Sequence, residues 1–415
     1  MRRAPDWLLA FFLLAGVYLW QRSTFPLWHI DLFHIQLAAL SWHTDQPEHM
    51  YTGYANYDQW LEEWYRPQAE RLGAWGDENA FFYPPFVAGL LAPLANVHVY
   101  AWRNILLGIN ILLLFVFASQ IARLSGAPIR WRGYLWALAL VLMTYPLARA
   151  SKLGQIVPLL AALFWEGLLR LKSSRIAAPA LLGTVIAVKI FPAGWLLAPF
   201  MKRQWKLAAS ILAVVIGIYA LATLSMGFAL HREWWDAVGE FGSVVYTYFG
   251  NQSPAGWYTR AVLGHSLLGP NFEPTLHIRI VRAVFTLFFL GLTALVLWRC
   301  LRTAVHPALE YGLLLSGLLL ALPVTWEHYY LFTLPPLGVL IFQAWQSGRR
   351  DWMTYLLAVA AFFFTMKLTR FYGETTVGKI ISGSQCFGLI LFWCYCVVLA
   401  GRSNVNTASG SVSSA

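Results

Sequence analysis

Three ionisable side chains lie beside or inside apolar stretches of the sequence. Asp31 follows the first apolar stretch, Lys189 lies between Val188 and Ile190, and His328 lies near the start of another apolar stretch. Charge is costly near a lipid bilayer and is usually retained there for function. A carboxylate can act as a general base, an ammonium can hold an anion such as phosphate, and an imidazole can bind an anion or move a proton.

Each of these residues also has a structural explanation. Asp31 could cap a helix that begins beside the membrane, and Lys189 could extend its charged tip toward the interface. His328 could satisfy its ring nitrogens with backbone groups in an aromatic belt. Pro192 breaks the helix within a turn of Lys189, which favours a phosphate partner for the ammonium. For Asp31, the residues alone leave both roles open.

The composition predicts an all-α integral membrane protein. The chain has 415 residues, of which 59% are hydrophobic and 12% are charged, and a soluble domain of this size could not bury so much apolar surface. Apolar runs of roughly 16 to 25 residues recur, the length that a helix needs to cross the bilayer. The four cysteines fall in or at the ends of these runs, and the histidines of the first loop match no standard zinc or calcium spacing. We therefore predict a site without metal.

Basic residues occur in clusters that the positive-inside rule places in the cytoplasm. The clusters are Arg2/Arg3, Arg123/Arg130/Arg132, Arg170/Lys172/Arg175, Lys202/Arg203/Lys206, Arg299/Arg302 and Arg349/Arg350. They predict about 12 spans in one domain of residues 1–401, with both termini cytoplasmic. Long extracytoplasmic loops are predicted at 25–98 and 229–277, an amphipathic helix at 57–72, and a disordered cytoplasmic tail at 402–415.

A rival topology treats residues 84–95 as a full span and joins the two segments on either side of Lys189 into one helix. It leaves two basic clusters outside the cytoplasm, so we rank it second.

Six short motifs all lie on the extracytoplasmic side in the preferred topology. They are Asp31, Phe82-Tyr83-Pro84-Pro85, Leu153-Gly154-Gln155, Val188-Lys189-Ile190-Phe191-Pro192, Asn251-Gln252-Ser253 with Arg260, and Pro323-Val324-Thr325-Trp326-Glu327-His328. In this order they resemble glycosyltransferase family 87, a set of polyprenyl-phosphate-sugar-dependent enzymes with the GT-C fold. The chain departs from the family pattern at Ile156-Val157, where members often have Asn, and at Tyr329, where they often have a second His.

The resemblance implies a GT-C bundle of about 12 transmembrane helices at the plasma (inner) membrane, similar to the phosphatidylinositol mannoside mannosyltransferases. Such an enzyme would move a sugar, expected to be mannose, from a polyprenyl-phosphate donor to a glycolipid or cell-envelope glycan on the extracytoplasmic side, with inversion. It would need no cofactor besides the donor lipid, and its partners would be the donor, the acceptor and membrane lipids, not nucleic acid. The expected catalytic residues are Asp31 and His328, and the expected substrate-binding residues are Lys189, Gln155, Tyr83, Asn251, Gln252, Arg260 and Glu327.

Three other functions remain open at this stage. The family also has members similar to arabinofuranosyltransferases, so the sugar is less determined than the reaction. A transporter or lipid flippase would explain the spans and the outward charges, but it usually shows paired halves with matching interrupted helices, which the sequence lacks. A scaffold subunit would tolerate single substitutions of Asp31, Lys189 and His328.

Overall fold

The structure is a computed structural model that describes residues 6–27, 30–51, 57–74, 81–126, 131–268, 272–301, 305–348, 350–366 and 368–409. These residues are nearly all helical, as the composition predicts. Within these ranges there is no β-strand, and isolated bridges join Val245 to Phe272 and Asn251 to Trp326.

The described α-helices follow one another with short connections. They are α1 (Asp6–Thr24), α2 (Ile30–His43), α3 (Tyr57–Trp60), α4 (Arg66–Leu72), α5 (Pro85–Leu91), α6 (Val99–Leu124), α7 (Trp131–Met143), α8 (Tyr145–Leu153), α9 (Val157–Leu169), α10 (Ala177–Val188), α11 (Leu197–Met201), α12 (Trp205–Met226), α13 (Phe228–Ser243), α14 (Pro254–Ala261), α15 (Leu276–Cys300), α16 (Pro307–Ala321), α17 (Leu334–Ser347), α18 (Trp352–Thr365), α19 (Thr376–Ile381) and α20 (Ser384–Ser409).

Four of these helices, α6, α12, α15 and α20, are long and apolar enough to cross a membrane, and α7 with α8 makes a fifth if that bent pair is one span. That pair bends by 56° at Thr144, where a second helix begins at Tyr145 with Pro146 in its first turn. Six further apolar helical segments have 10 to 17 residues. The twelve crossings therefore stay a prediction.

The segment predicted to be the first long loop contains several helices. α2 is mostly apolar and largely buried, although it also contains Asp31, His34 and Gln36, and it packs against α5. The amphipathic helix expected at 57–72 is present, with a π-helical turn at Leu61–Tyr65 between α3 and α4. Its buried residues Leu61 and Tyr65 pack on Phe33 and Leu40 of α2. The first loop is thus a folded layer on one end of the bundle.

The two ends of the bundle differ in chemistry. One end carries the described members of the basic clusters, several of them held by contacts between helix ends: Arg132 with Asp6, Arg123 and Arg170 with Glu166, and Lys202 with Glu310. The opposite end carries Asp31, Lys189 and Glu327. The described members of the basic clusters thus lie at one end, which we call the basic end.

The break predicted near Lys189 is also observed. α10 stops at Val188, and a separate 3₁₀ segment, Phe191–Leu196, follows before α11. At the C-terminus, α20 extends to Ser409. The disorder expected for the tail at 402–415 from its serine- and asparagine-rich composition stays a prediction.

Candidate functional site

Lys189 reaches between two tyrosine rings at the end of α10. Its backbone is extended, with φ −138° and ψ 115°. Its Nζ lies 4.5 Å from the ring centre of Tyr83 and 4.9 Å from that of Tyr329, and it donates to the Tyr83 hydroxyl at 3.4 Å. Aromatic faces attract a cation without neutralising it. The ammonium therefore keeps the capacity to bind an anion.

Asp31 lies in the first turn of α2, close enough for its charge to act on Lys189, Tyr83 and Tyr329. Asp31 and Lys189 are partly exposed, whereas the two tyrosines are buried. The carboxylate and the ammonium thus both keep part of their surface exposed. The place of Asp31 in a first helical turn also suits the helix dipole, so the structural explanation and the chemical one apply together.

The Gly154-Gln155 pair fixes how α2 approaches α8. Gly154 ends α8 with a left-handed φ of 73°. A Cβ on Gly154 would lie 2.8 Å from the Cβ of Leu32, the neighbour of Asp31. Glycine alone meets both requirements, because other residues disfavour positive φ and a side chain would push α2 away. This glycine therefore determines where Asp31 lies.

Replacing Gly154 with Ala is expected to lower both stability and sugar transfer. The left-handed backbone alone costs about 1–2 kcal/mol, and the contact with Leu32 must displace the start of α2. Gly126→Ala is the matched control, because Gly126 also has positive φ, at 65°, but its Cβ would meet nothing within 4 Å. Thermal unfolding temperatures and transfer rates are measured for both variants. If Gly126→Ala loses as much stability and activity as Gly154→Ala, the contact with α2 has no special role.

Gln155 is linked to Asp31 and Lys189 through Tyr83, and we call these four residues the cluster. The Tyr83 hydroxyl lies 3.5 Å from the Gln155 Oε1, which accepts from it, and both side chains are buried. Asp31, Tyr83, Gln155 and Lys189, which come from four separate motifs, are therefore neighbours in space. The sequence predicted only that they would share one side of the membrane.

Glu327 forms a buried ion pair with Arg149 of α8. The Arg149 Nε donates to the Glu327 Oε1 at 2.6 Å, and the two side chains are 6% and 3% exposed. Arg149 also donates to the Tyr248 hydroxyl at 3.0 Å. Such a pair stays stable in a buried place only if its geometry is good and its remaining atoms are bonded. It holds the 3₁₀ segment Glu327–Thr333 against α8.

His328 is 4% exposed, and neither ring nitrogen has a hydrogen-bond partner among the residues that the structure describes. The ring packs edge-on against Tyr329, and the charges of Lys189 and Arg149 act on it. The backbone partners that the structural explanation required are thus missing in the described ranges. A buried polar group without a partner is expensive, so His328 is suited to a ligand that supplies hydrogen bonds.

The Asn251-Gln252-Ser253 motif holds the backbone together. The Asn251 Oδ1 accepts from the backbone N–H groups of Ser253 and Thr325, and the Gln252 Nε2 donates to the carbonyls of Phe249 and Ser382. These hydrogen bonds occupy the two amides that were predicted to bind sugar. Both side chains thus fix the backbone beside the site, and sugar binding by Asn251 and Gln252 stays a prediction.

Arg260 is likewise buried, with an exposure of 0%. Its guanidinium donates to the Ser382 hydroxyl at 3.0 Å and to the carbonyls of Thr247 and Tyr248 at 3.4 and 3.2 Å. Arg260 therefore orders the segment that presents Tyr248 to Arg149, while its Nη2 has no hydrogen-bond partner among the described residues. Its binding of substrate stays a prediction.

Two residues of the candidate site were not among the predicted site residues. Arg149 is a basic residue on the outer side in the predicted topology, an exception to the positive-inside pattern that suits either an anionic lipid phosphate or a surface ion pair. Tyr329 appeared as a departure from the family motif, and the structure places its ring over Lys189. No sequence signal pairs Arg149 with Glu327, which is 178 residues away.

Comparison of the sequence with known protein families gives one match, which includes part of the candidate site. A family model, described as glycosyltransferase family 87, matches residues 81–323, which is more than half of the chain. The matched part includes Tyr83, Gln155 and Lys189. Neither the curated proteins nor the solved structures give a match. The family model nevertheless covers enough of the sequence to settle membership, and the chain belongs to glycosyltransferase family 87.

Proposed function

We propose that the chain is an inverting GT-C transferase that moves mannose from a polyprenyl-phosphate donor to a glycolipid or cell-envelope glycan. The observation that carries this proposal is the placement of Asp31 beside Lys189, both partly exposed, at one end of a helical bundle. A base for the acceptor and a cation for the leaving phosphate are the two groups that such a transfer requires. Membership of a glycosyltransferase family favours this function over transport or scaffolding.

In the proposed reaction, the acceptor hydroxyl gives its proton to Asp31 while its oxygen forms a bond to the anomeric carbon. The bond between that carbon and the phosphate oxygen breaks, and the polyprenyl phosphate leaves with the electron pair. The leaving group already carries negative charge, so it needs a cation more than an acid. Lys189 supplies this charge, and His328 offers its unpartnered ring nitrogens to the donor phosphate or sugar.

We further propose that the basic end faces the cytoplasm of the plasma membrane, which puts both termini there and the reaction on the extracytoplasmic side. The positive-inside rule supports this orientation. The reaction needs no cofactor besides the donor lipid, and the acceptor and membrane lipids are the other partners.

The function is tested by supplying membranes that contain the protein with labelled polyprenyl-phosphate mannose and a panel of glycolipids. Formation of a labelled glycolipid of inverted configuration is the expected result. Polyprenyl-phosphate arabinose is the second arm, and faster use of it would replace mannose in the proposal. Label that crosses the membrane without joining an acceptor would indicate a transporter.

Replacing Lys189 with Gln is expected to weaken use of the donor. A hydrogen bond to a charged group contributes about 1.5–3 kcal/mol, so kcat/KM for the donor should fall roughly 10- to 150-fold. Steady-state kinetics with the donor concentration varied measure this change. Lys172→Gln, the same change at an exposed position of the basic end, should leave the kinetics unaltered. If both variants behave like the parent enzyme, Lys189 does not bind the phosphate.

A further inference from the structure

A cavity lies at the basic end, away from the candidate site. Its volume is about 480 Å³, within the range of small-ligand sites. It is lined by Met201, Lys202, Arg203, Gln204, Cys300, Leu301, Val305 and Glu310. One wall is the turn between α11 and α12, and the other is formed by the end of α15 and the start of α16. α16 has 15 residues and is therefore about 22 Å long, so it separates this cavity from Glu327.

The charge around this cavity is suited to an anion. Lys202, Arg203 and Lys206 are close together in the sequence, and the only lining carboxylate in the part of the chain that the structure describes is Glu310. Glu310 forms an ion pair with Lys202, so among the residues that the structure describes Arg203 is the lining cation left without a countercharge. The Gln204 side chain makes no capping hydrogen bond at the start of α12, and helix N-termini favour negative charge.

The surroundings of the cavity are suited to acyl chains. α12 and α15, which begin and end beside it, are the least buried of the long apolar helices, at 17% and 22% of their apolar windows. Both expose large apolar side chains, including Ile216 on α12 and Trp298 on α15. Trp205, at the first position of α12, is 58% exposed, as is typical of residues at a membrane interface.

We propose that this cavity binds the phosphate headgroup of an anionic phospholipid, with the acyl chains along the apolar faces of α12 and α15. Basic pockets between membrane helices bind such headgroups. Arg203 contacts the phosphate, and Glu310 holds Lys202 at the edge of the cavity. This inference does not depend on the proposed function, because the cavity lies at the other end of the bundle.

The test is lipid binding to the purified full-length protein in detergent, measured by native mass spectrometry. Phosphatidylglycerol is titrated against phosphatidylcholine with the same acyl chains, and inorganic phosphate is a third arm. Arg203→Gln should weaken phosphatidylglycerol binding about fivefold, the contribution of one basic residue near an anionic surface. Glu310→Gln should strengthen binding by a similar factor, because it removes the opposing charge and releases Lys202.

Arg175→Gln is the matched control, since it removes one exposed charge from the same end without touching the cavity. It should change binding less than twofold, and thermal unfolding of each variant confirms that it is folded. Equal loss in Arg175→Gln and Arg203→Gln, equal binding of the two lipids, or binding of inorganic phosphate alone would overturn the proposal. Sugar transfer by Arg203→Gln should match the parent enzyme, which separates this test from that of the candidate site.

Discussion

Asp31→Asn is expected to abolish sugar transfer while the protein remains folded. The amide has nearly the shape of the carboxylate but cannot take the proton of the acceptor hydroxyl. General-base catalysis contributes about 10²- to 10⁴-fold, so the transfer rate should fall by that factor. Donor binding should change little, because Lys189 and its two tyrosines are unaltered. Transfer assays and donor-binding measurements on the same preparation give the two numbers.

Asp45→Asn provides the matched control for this substitution. Asp45 lies in the same region of the chain, is exposed, and has a left-handed φ of 57°, which Asn also tolerates. It should transfer sugar at the parent rate. Comparable turnover by Asp31→Asn would remove Asp31 from the mechanism, whereas equal loss in both variants would indicate a general effect of charge on this layer.

Much of the site could be predicted from the sequence because membrane topology restricts where residues can meet. Once the basic clusters are assigned to one end, Asp31, Tyr83, Gln155 and Lys189 must emerge at the other. The structure brings these four together through Tyr83 and Lys189. Topology determines at which end of the bundle a residue emerges, but it does not determine which side chains it contacts. The tyrosine rings around Lys189 were therefore not predicted.

Other features depend on contacts that leave no local pattern. The bend at Thr144 turns α8 so that Arg149 meets Glu327. A hydrophobic run shows that a segment is apolar, not whether it is straight. The polar residues of the Asn251-Gln252-Ser253 motif suit a sugar site or a folded loop equally well, and only their partners distinguish the two.

The buried helix in the first loop also could not be predicted from the sequence. α2 contains His34 and Gln36 among apolar residues, and the predicted topology placed this segment in the first extracytoplasmic loop. In the fold, the Gln36 Nε2 donates to the Ala95 carbonyl at 3.0 Å, and His34 stacks on Tyr83 with ring centres 6.1 Å apart. Polar side chains are tolerated inside a helix bundle when they hydrogen-bond to backbone groups, or stack on aromatic rings, that are distant in the sequence.

Glu327→Gln and Arg149→Met are each expected to destabilise the protein strongly. Each leaves the other member of a buried ion pair without its countercharge, which costs about 3–5 kcal/mol. The double variant Arg149→Met/Glu327→Leu should recover most of this loss, because neither charge remains. Denaturant unfolding in detergent micelles measures the free energy of unfolding for all four proteins. Transfer should stay low in the double variant, since His328 is no longer held against α8 by the ion pair.

Arg123→Met is the matched control, because Arg123 pairs with Glu166 where the two side chains are 45% and 22% exposed. Water screens such a pair, so the loss should stay within about 1 kcal/mol. A double variant that is as unstable as the singles would mean that Arg149 and Glu327 contribute through packing rather than charge. Full transfer activity in a stable double variant would instead show that the ion pair does not position His328.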